Sequence, residues 1–146
     1  MYKIGFTGTQ SGMTDPQYSI VRLFFQNEKY KSQIEDVHHG DCIGADDDFH
    51  TIARLFSNIK IVIHPPKNKS KRAFKQGDVI LEPDEYLKRN HDIVDACDIL
   101  IATPKENEEV LRSGTWATIR YGKKSGKMVV IIFPTGKVEI INDRKN

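Results

Sequence analysis

No stretch of the chain approaches the roughly 20 consecutive apolar residues needed to cross a bilayer, which argues against a helical membrane protein. Cysteine is scarce: Cys42 and Cys97 are the only two, too few for a disulfide scaffold. Charge of one sign is also lacking, since 22 Lys and Arg against 20 Asp and Glu leave +2. A protein that coats a polyanion by bulk charge is therefore disfavoured, and only a local basic site remains open. There is no Gly-Lys-Ser/Thr after a four-residue glycine spacer and no Gly-x-Gly-x-x-Gly fingerprint, so ATP hydrolysis and ordinary NAD-linked hydride transfer are not expected. His38, His39, His50, His64 and His91 have no ligand spacing, and neither a metal nor another cofactor is expected. Met1 to Gly5 runs straight into a strand-like segment instead of a signal peptide, which predicts a cytoplasmic protein without a membrane partner.

What is present suits one soluble domain: 146 residues, 38% hydrophobic and 29% charged. Short β-branched runs alternate with amphipathic segments, the pattern of a parallel sheet with crossover helices. The expected fold is an α/β, Rossmann-like three-layer sandwich with a mainly parallel sheet and helices on both faces. One domain spans residues 1–141, and residues 142–146 form a polar tail. Tyr2 to Phe6 reads as the first strand. Asp15-Pro16 reads as an N-cap and first helical residue, ahead of Ile20, Val21, Phe24 and Phe25 on one face. Ile34 to His38 is a second strand, and the spacing of Ala45, Phe49, Ile52, Ala53 and Phe56 predicts a helix over 45–56. Ile59 to His64 is a third strand, stopped by Pro65-Pro66. Lys67 to Asp78 reads as a long exposed connection with one helical turn. A helix beginning near Pro83 places Tyr86, Leu87, Asn90, Ile93, Val94 and Cys97 on one face. Asp98 to Ala102 is a strand, Ser113-Gly114-Thr115 opens a helix to Lys124, and Ser125-Gly126 stops it. Met128 to Phe133, the most hydrophobic run, predicts a central strand buried on both faces. Val138 to Ile141 adds an edge hairpin through Thr135-Gly136.

Three loops follow a strand and precede a helix: Gly8-Thr9-Gln10-Ser11-Gly12, Gly40-Asp41-Cys42-Ile43-Gly44-Ala45-Asp46, and Ser113-Gly114-Thr115. In a parallel sheet they share the edge outside the carboxyl ends of the strands, where one ligand can meet all three. Glycine lets backbone approach an anion, and unpaired N–H groups at a helix start carry partial positive charge, so phosphate is the natural guest.

The ordered blocks Gly5-Phe6-Thr7-Gly8-Thr9-Gln10, His39-Gly40-Asp41-Cys42-Ile43-Gly44-Ala45-Asp46, Arg89-Asn90, Arg112-Ser113-Gly114-Thr115-Trp116-Ala117-Thr118, Gly126-Lys127-Met128-Val129-Val130 and Pro134-Thr135-Gly136 resemble the SLOG superfamily. That Rossmann-like group contains the DNA-processing protein DprA and the LOG phosphoribohydrolases. The likeness covers residues 2–136, and Arg112 to Thr118 is most similar to the DprA version. It implies a phosphate-bearing ligand held over Gly8, Thr9, Gln10, Gly40, Asp41, Gly44, Ala45, Asp46, Arg89, Asn90, Arg112, Ser113, Gly114, Thr115 and Thr118. In the phosphoribohydrolase version a catalytic glutamate stands where this chain has Thr118. The larger DprA chains also carry domains with no counterpart in this one.

Individual side chains admit two readings each. Asp41 and Asp46 can accept from ribose hydroxyls or a base edge, or cap the following helix. Arg89 and Arg112 can pair with phosphate, or form structural and surface contacts. Asn90 needs a polar partner, from a ligand or from a neighbouring loop. Trp116 can stack a base or pack in the core. Lys67, Lys69, Lys71, Arg72 and Lys75 can close over a ligand or stay solvated. The leading functional reading is a module that senses or sequesters a nucleotide or nucleotide-derived small molecule. A nucleoside-phosphate N-glycosidase is the enzymatic alternative, weakened by Thr118. Single-stranded nucleic-acid binding in the manner of DprA is the third. The small size and the resemblance predict a homo-oligomer.

Overall fold

A computed structural model describes residues 1–142. Chain order is β1 (Tyr2–Gly8), α1 (Asp15–Gln26), α2 (Glu28–Lys31), β2 (Ile34–His39), α3 (Ala45–Phe56), β3 (Lys60–Ile63), β4 (Val79–Ile80), α4 (Tyr86–Ala96), β5 (Ile99–Thr103), α5 (Gly114–Lys124), β6 (Met128–Ile132) and β7 (Val138–Asn142). The strands form one seven-stranded sheet in the order β4-β3-β2-β1-β5-β6-β7. Every pairing is parallel except β6 with β7. The fold is thus α/β and Rossmann-like, and strand order reverses between β1 and β5, leaving a crevice beyond their carboxyl ends.

Period-2 alternation sorts the side chains into two cores. Ile4, Phe6, Val37, Ile61, Ile63, Ile101 and Ile132 face α1 and α3, where Val21, Phe25, Phe49 and Ile52 complete a buried cluster. Phe6 stacks on Phe49 with centroids 4.3 Å apart. Leu100, Ala102, Val129 and Ile131 face the other way, against Val94, Trp116 and Ile119 of α4 and α5. Trp116 takes the packing role, with its indole N–H donated to Glu106 at 3.1 Å. No helix among the described residues is long and apolar enough to cross a membrane.

Several local expectations shift. Thr14, not Asp15, caps α1: its hydroxyl accepts from Gln17 N, and Gln17 Oε1 accepts from Thr14 N. This capping box outcompetes the aspartate because Gln17 is fully buried and also donates to Pro104 O and Ile132 O, both at 2.8 Å. Helix α4 starts at Tyr86 with Glu85 as its cap, not at Pro83, because residues 82–85 run extended along the strand ends and Asp84 N bonds to Pro65 O. Leu87 consequently points to solvent, 61% exposed, and Tyr86 is only half-covered. The connection after β3 contains the expected turn, a 3-10 turn at Lys69–Lys71, but also the short strand β4, which carries no apolar alternation to announce it. The central strand is β1. Strand β6 sits one position from the edge, and on the α1 side Met128 and Val130 line an apolar groove of about 350 Å³ instead of being fully buried. The Thr135-Gly136 hairpin forms, and Asn142, expected in the polar tail, ends β7; the remaining tail, 143–146, lies outside the described residues.

Candidate functional site

The three glycine loops meet at the carboxyl edge of β1, β2 and β5, but they do so with different chemistry. After β1, Gly8 lies against its neighbours so closely that a Cβ there would stand 2.4 Å from Thr103 Oγ1 and 2.5 Å from Ala45 Cβ. Thr9 N bonds to Thr103 O at 3.2 Å, and Thr9 O accepts from Ala45 N at 2.9 Å, which ties the first loop to β5 and to the start of α3. The Thr9 hydroxyl is engaged with Ser11 Oγ at 2.9 Å, and Gln10 is exposed at the rim.

The loop after β2 opens α3 through Gly44, whose φ of 100° and close contact with the Gln10 backbone require glycine. Neither aspartate caps the helix by its side chain. Asp46 instead turns back, and its carboxylate accepts from Cys42 N at 3.0 Å. Burial pushes its pKa up to about 6, against the opposing pull of the Arg89 charge and the Cys42 amide. Asp41 is fully buried and faces away from the crevice, bound to Arg72 and to the backbone of Lys75 at 2.8 and 2.9 Å. Asp47 and Asp48 also lie in the first turn of α3, and Asp48 accepts from Met13 N at 2.9 Å.

Helix α4 supplies the cation. Arg89 is 2% exposed. Its Nη1 donates to Gly40 O and to His64 O, and Nη2 reaches Cys42 Sγ at 3.4 Å. The guanidinium therefore ties the ends of β2 and β3 together through neutral acceptors, and among the described residues no carboxylate lies within ion-pair distance of it. Gly40 is glycine because a Cβ would collide with Arg89 Nη1. Tyr86 lies under the guanidinium, 5.0 Å from ring centroid to Cζ, with Asn90 close to its hydroxyl. The same phenol covers Gly114, where a Cβ would stand 2.2 Å from Tyr86 Oη. Arg89, Tyr86, Asn90 and Gly114 thus form one contiguous wall.

Helix α5 is capped by Ser113 Oγ, which accepts from Trp116 N at 3.2 Å, and has no acid in its first turn. Thr115 is buried, and Thr118 donates its hydroxyl back to Gly114 O at 2.9 Å. Arg112 is exposed just before the turn. Buried side-chain nitrogen and oxygen atoms without a partner occur, among the described residues, at Arg89 Nε, beside the ends of β2 and β3, and at Thr103 Oγ1, beside Gly8 at the end of β5.

Sequence reasoning missed two buried imidazole pairs behind this site. His38 Nδ1 meets His64 Nε2 at 2.8 Å, and His38 Nε2 meets Asp36 at 2.9 Å. On the opposite face His39 Nε2 meets His50 Nδ1 at 2.9 Å, and His39 Nδ1 accepts from Asp41 N. Burial is the largest cause lowering the pKa of all four. The signal was the adjacency of His38 and His39 at the end of a strand, which sends one ring to each face.

No family model matches the chain, and no curated protein matches it. Among solved structures it is similar to TM1055, determined by a structural genomics consortium, with a TM-score of 0.65, 17% identity, and coverage of 88% of this chain and 72% of that one. It is also similar to DNA processing protein A from Helicobacter pylori, a structure reported for its single-stranded DNA binding mode, with a TM-score of 0.61, 16% identity and coverage of 88% of this chain. The chain spans 64% of that protein's length. At these identities the likeness concerns the fold.

Proposed function

We propose that the crevice binds a nucleotide or a nucleotide-derived, phosphate-bearing molecule without turning it over. The observation that carries this reading is the pair of unpartnered buried polar atoms, Arg89 Nε and Thr103 Oγ1, near the carboxyl ends of the strands; such orphans are rare in a finished fold and are expected where a ligand or bound water completes the site. The phosphate belongs at the start of α5, on the amides after Ser113 and beside Arg112, where no acid opposes it. Thr9, Gln10, Gly44, Ala45 and Asp46 then face the sugar and base. Binding without cleavage fits Thr118, whose hydroxyl is committed to its own helix; glycosidic cleavage needs a free carboxylate near the anomeric carbon.

Single-stranded DNA is the second reading. It is favoured by the fold shared with DNA processing protein A and by Lys69 and Lys71, exposed and without an ion-pair partner among the described residues.

Native mass spectrometry of freshly purified chain, followed by calorimetric titration with nucleoside monophosphates and a short oligodeoxynucleotide, tests both readings. Saturable binding that Gly114→Val removes, with no release of free base, is the expected result. Release of free base would establish the enzymatic alternative, and absence of binding to every phosphate compound would end the proposal.

A further inference from the structure

Phe74 combines two features that folding alone disfavours. Its ring is 54% exposed, and its backbone stands at φ 58°, a left-handed conformation that is an outlier for a bulky side chain. The conformation is imposed from the loop after β2. The buried Asp41 carboxylate accepts from Arg72 Nε at 2.8 Å and from Lys75 N at 2.9 Å, and the Asp41 carbonyl accepts from Ala73 N at 2.7 Å. Lys71 O accepts from Ile43 N at 2.9 Å. Residues on both sides of Phe74 are thus fastened down while Phe74 itself projects. Arg72 Cζ lies 4.7 Å from the ring centroid, so one cation already stacks on the ring. Strain held this firmly at an exposed aromatic marks a functional position more often than a packing one.

We propose that Phe74 is a stacking platform for a nucleobase, with Arg72 stacked on its ring and the exposed Lys69 and Lys71 nearby for the further phosphates of a strand. The inference rests on the phosphate-ligand reading above and adds an aromatic stacking element to it. An aromatic face accepts any base, and a guanidinium stacked on the same ring is the usual companion of such platforms. The base can come from a mononucleotide or from a single strand, and the test separates the two.

Affinities are measured by calorimetry for adenosine 5′-monophosphate against ribose 5-phosphate, and for a short oligodeoxynucleotide against its abasic counterpart. The wild-type chain should prefer the base-bearing member of at least one pair by about 5- to 150-fold, the equivalent of ~1–3 kcal/mol per stacked base. Phe74→Ala and Phe74→Gly should abolish that preference, and Phe74→Trp should keep it. Phe74→Gly should melt no lower than wild type, because glycine adopts φ 58° freely. A preference in the first pair alone identifies a mononucleotide, and in the second alone a strand. A base preference that survives in Phe74→Ala overturns the platform and leaves the crevice reading intact. Failure of the wild-type chain to bind either base-bearing probe overturns both.

Discussion

Helices α3 and α5 both begin after a glycine turn at the same sheet edge, yet only one of them is built to receive an anion. Helix α3 carries Asp46, Asp47 and Asp48 in its first turn and is entered through a glycine at φ 100° with no side-chain cap. Its positive end is already matched by its own carboxylates. Helix α5 has a serine cap, no acid in its first turn and Arg112 immediately before it. The difference teaches that a glycine loop before a helix is a geometric device in one place and an electrostatic one in another. The acids around it decide which.

The sharpest way to separate the two is to add one methyl group at each. Gly44→Ala places a Cβ 2.3 Å from Gln10 O in a left-handed conformation, so it should destabilise the fold by about 3 kcal/mol or more. Gly114→Ala meets the far end of Tyr86, a half-exposed side chain that can swing aside. It should cost the fold only about 1 kcal/mol while weakening phosphate binding about tenfold. Denaturant melts and calorimetry on both variants measure this; equal stability losses would erase the distinction.

Acid sharpens the same contrast, because the buried imidazoles sit on the β2–α3 half of the sheet. His38, His39, His50 and His64 titrate below the ordinary 6.5, with His64 at about 4. The unfolded chain therefore binds more protons than the folded one below pH 6.5, so this contribution is complete above that pH and is lost on acidification. Asp46 works in the opposite direction: its folded pKa of about 6 lies above the usual 3.8, so stability rises as pH falls through that interval. Four groups oppose one, and His64 alone, at about 4, costs on the order of 2 kcal/mol between pH 7 and pH 5. Urea melts should show a net loss of stability over that range; a flat profile would mean that the imidazole pairs take up protons without disruption.

The smallest effect is expected at Asp47, a partly exposed acid in the α3 first turn paired with Lys75 at 2.6 Å. Asp47→Asn should lower stability by about 0.5 kcal/mol and leave ligand affinity unchanged. A gain in phosphate affinity would show that α3 becomes an anion site once its acid is removed.

Much of this architecture was legible in the residue order. Helix α3 begins and ends where its apolar spacing places it, and α5 begins at the Ser113-Gly114 turn. What escaped did so because tertiary contacts overrode local signals. Asp41 looked like a ligand acceptor beside the glycines, but its carboxylate is consumed by Arg72 and Lys75, more than 30 residues downstream. Arg89 looked like a phosphate clamp, and it first holds the ends of β2 and β3 together. The hydrophobic run at Met128 to Phe133 suggested a central strand, because composition records burial but not position in the sheet. Strand β4 has two residues, too few for any period.

The most direct test of the central claim is an amide chemical-shift titration of the isotope-labelled chain with adenosine 5′-monophosphate. The account predicts that the largest perturbations fall on Gly114, Thr115 and Trp116 at the start of α5, with little change at Asp47 and Asp48. Perturbations centred on α3, or none at either helix, would contradict it.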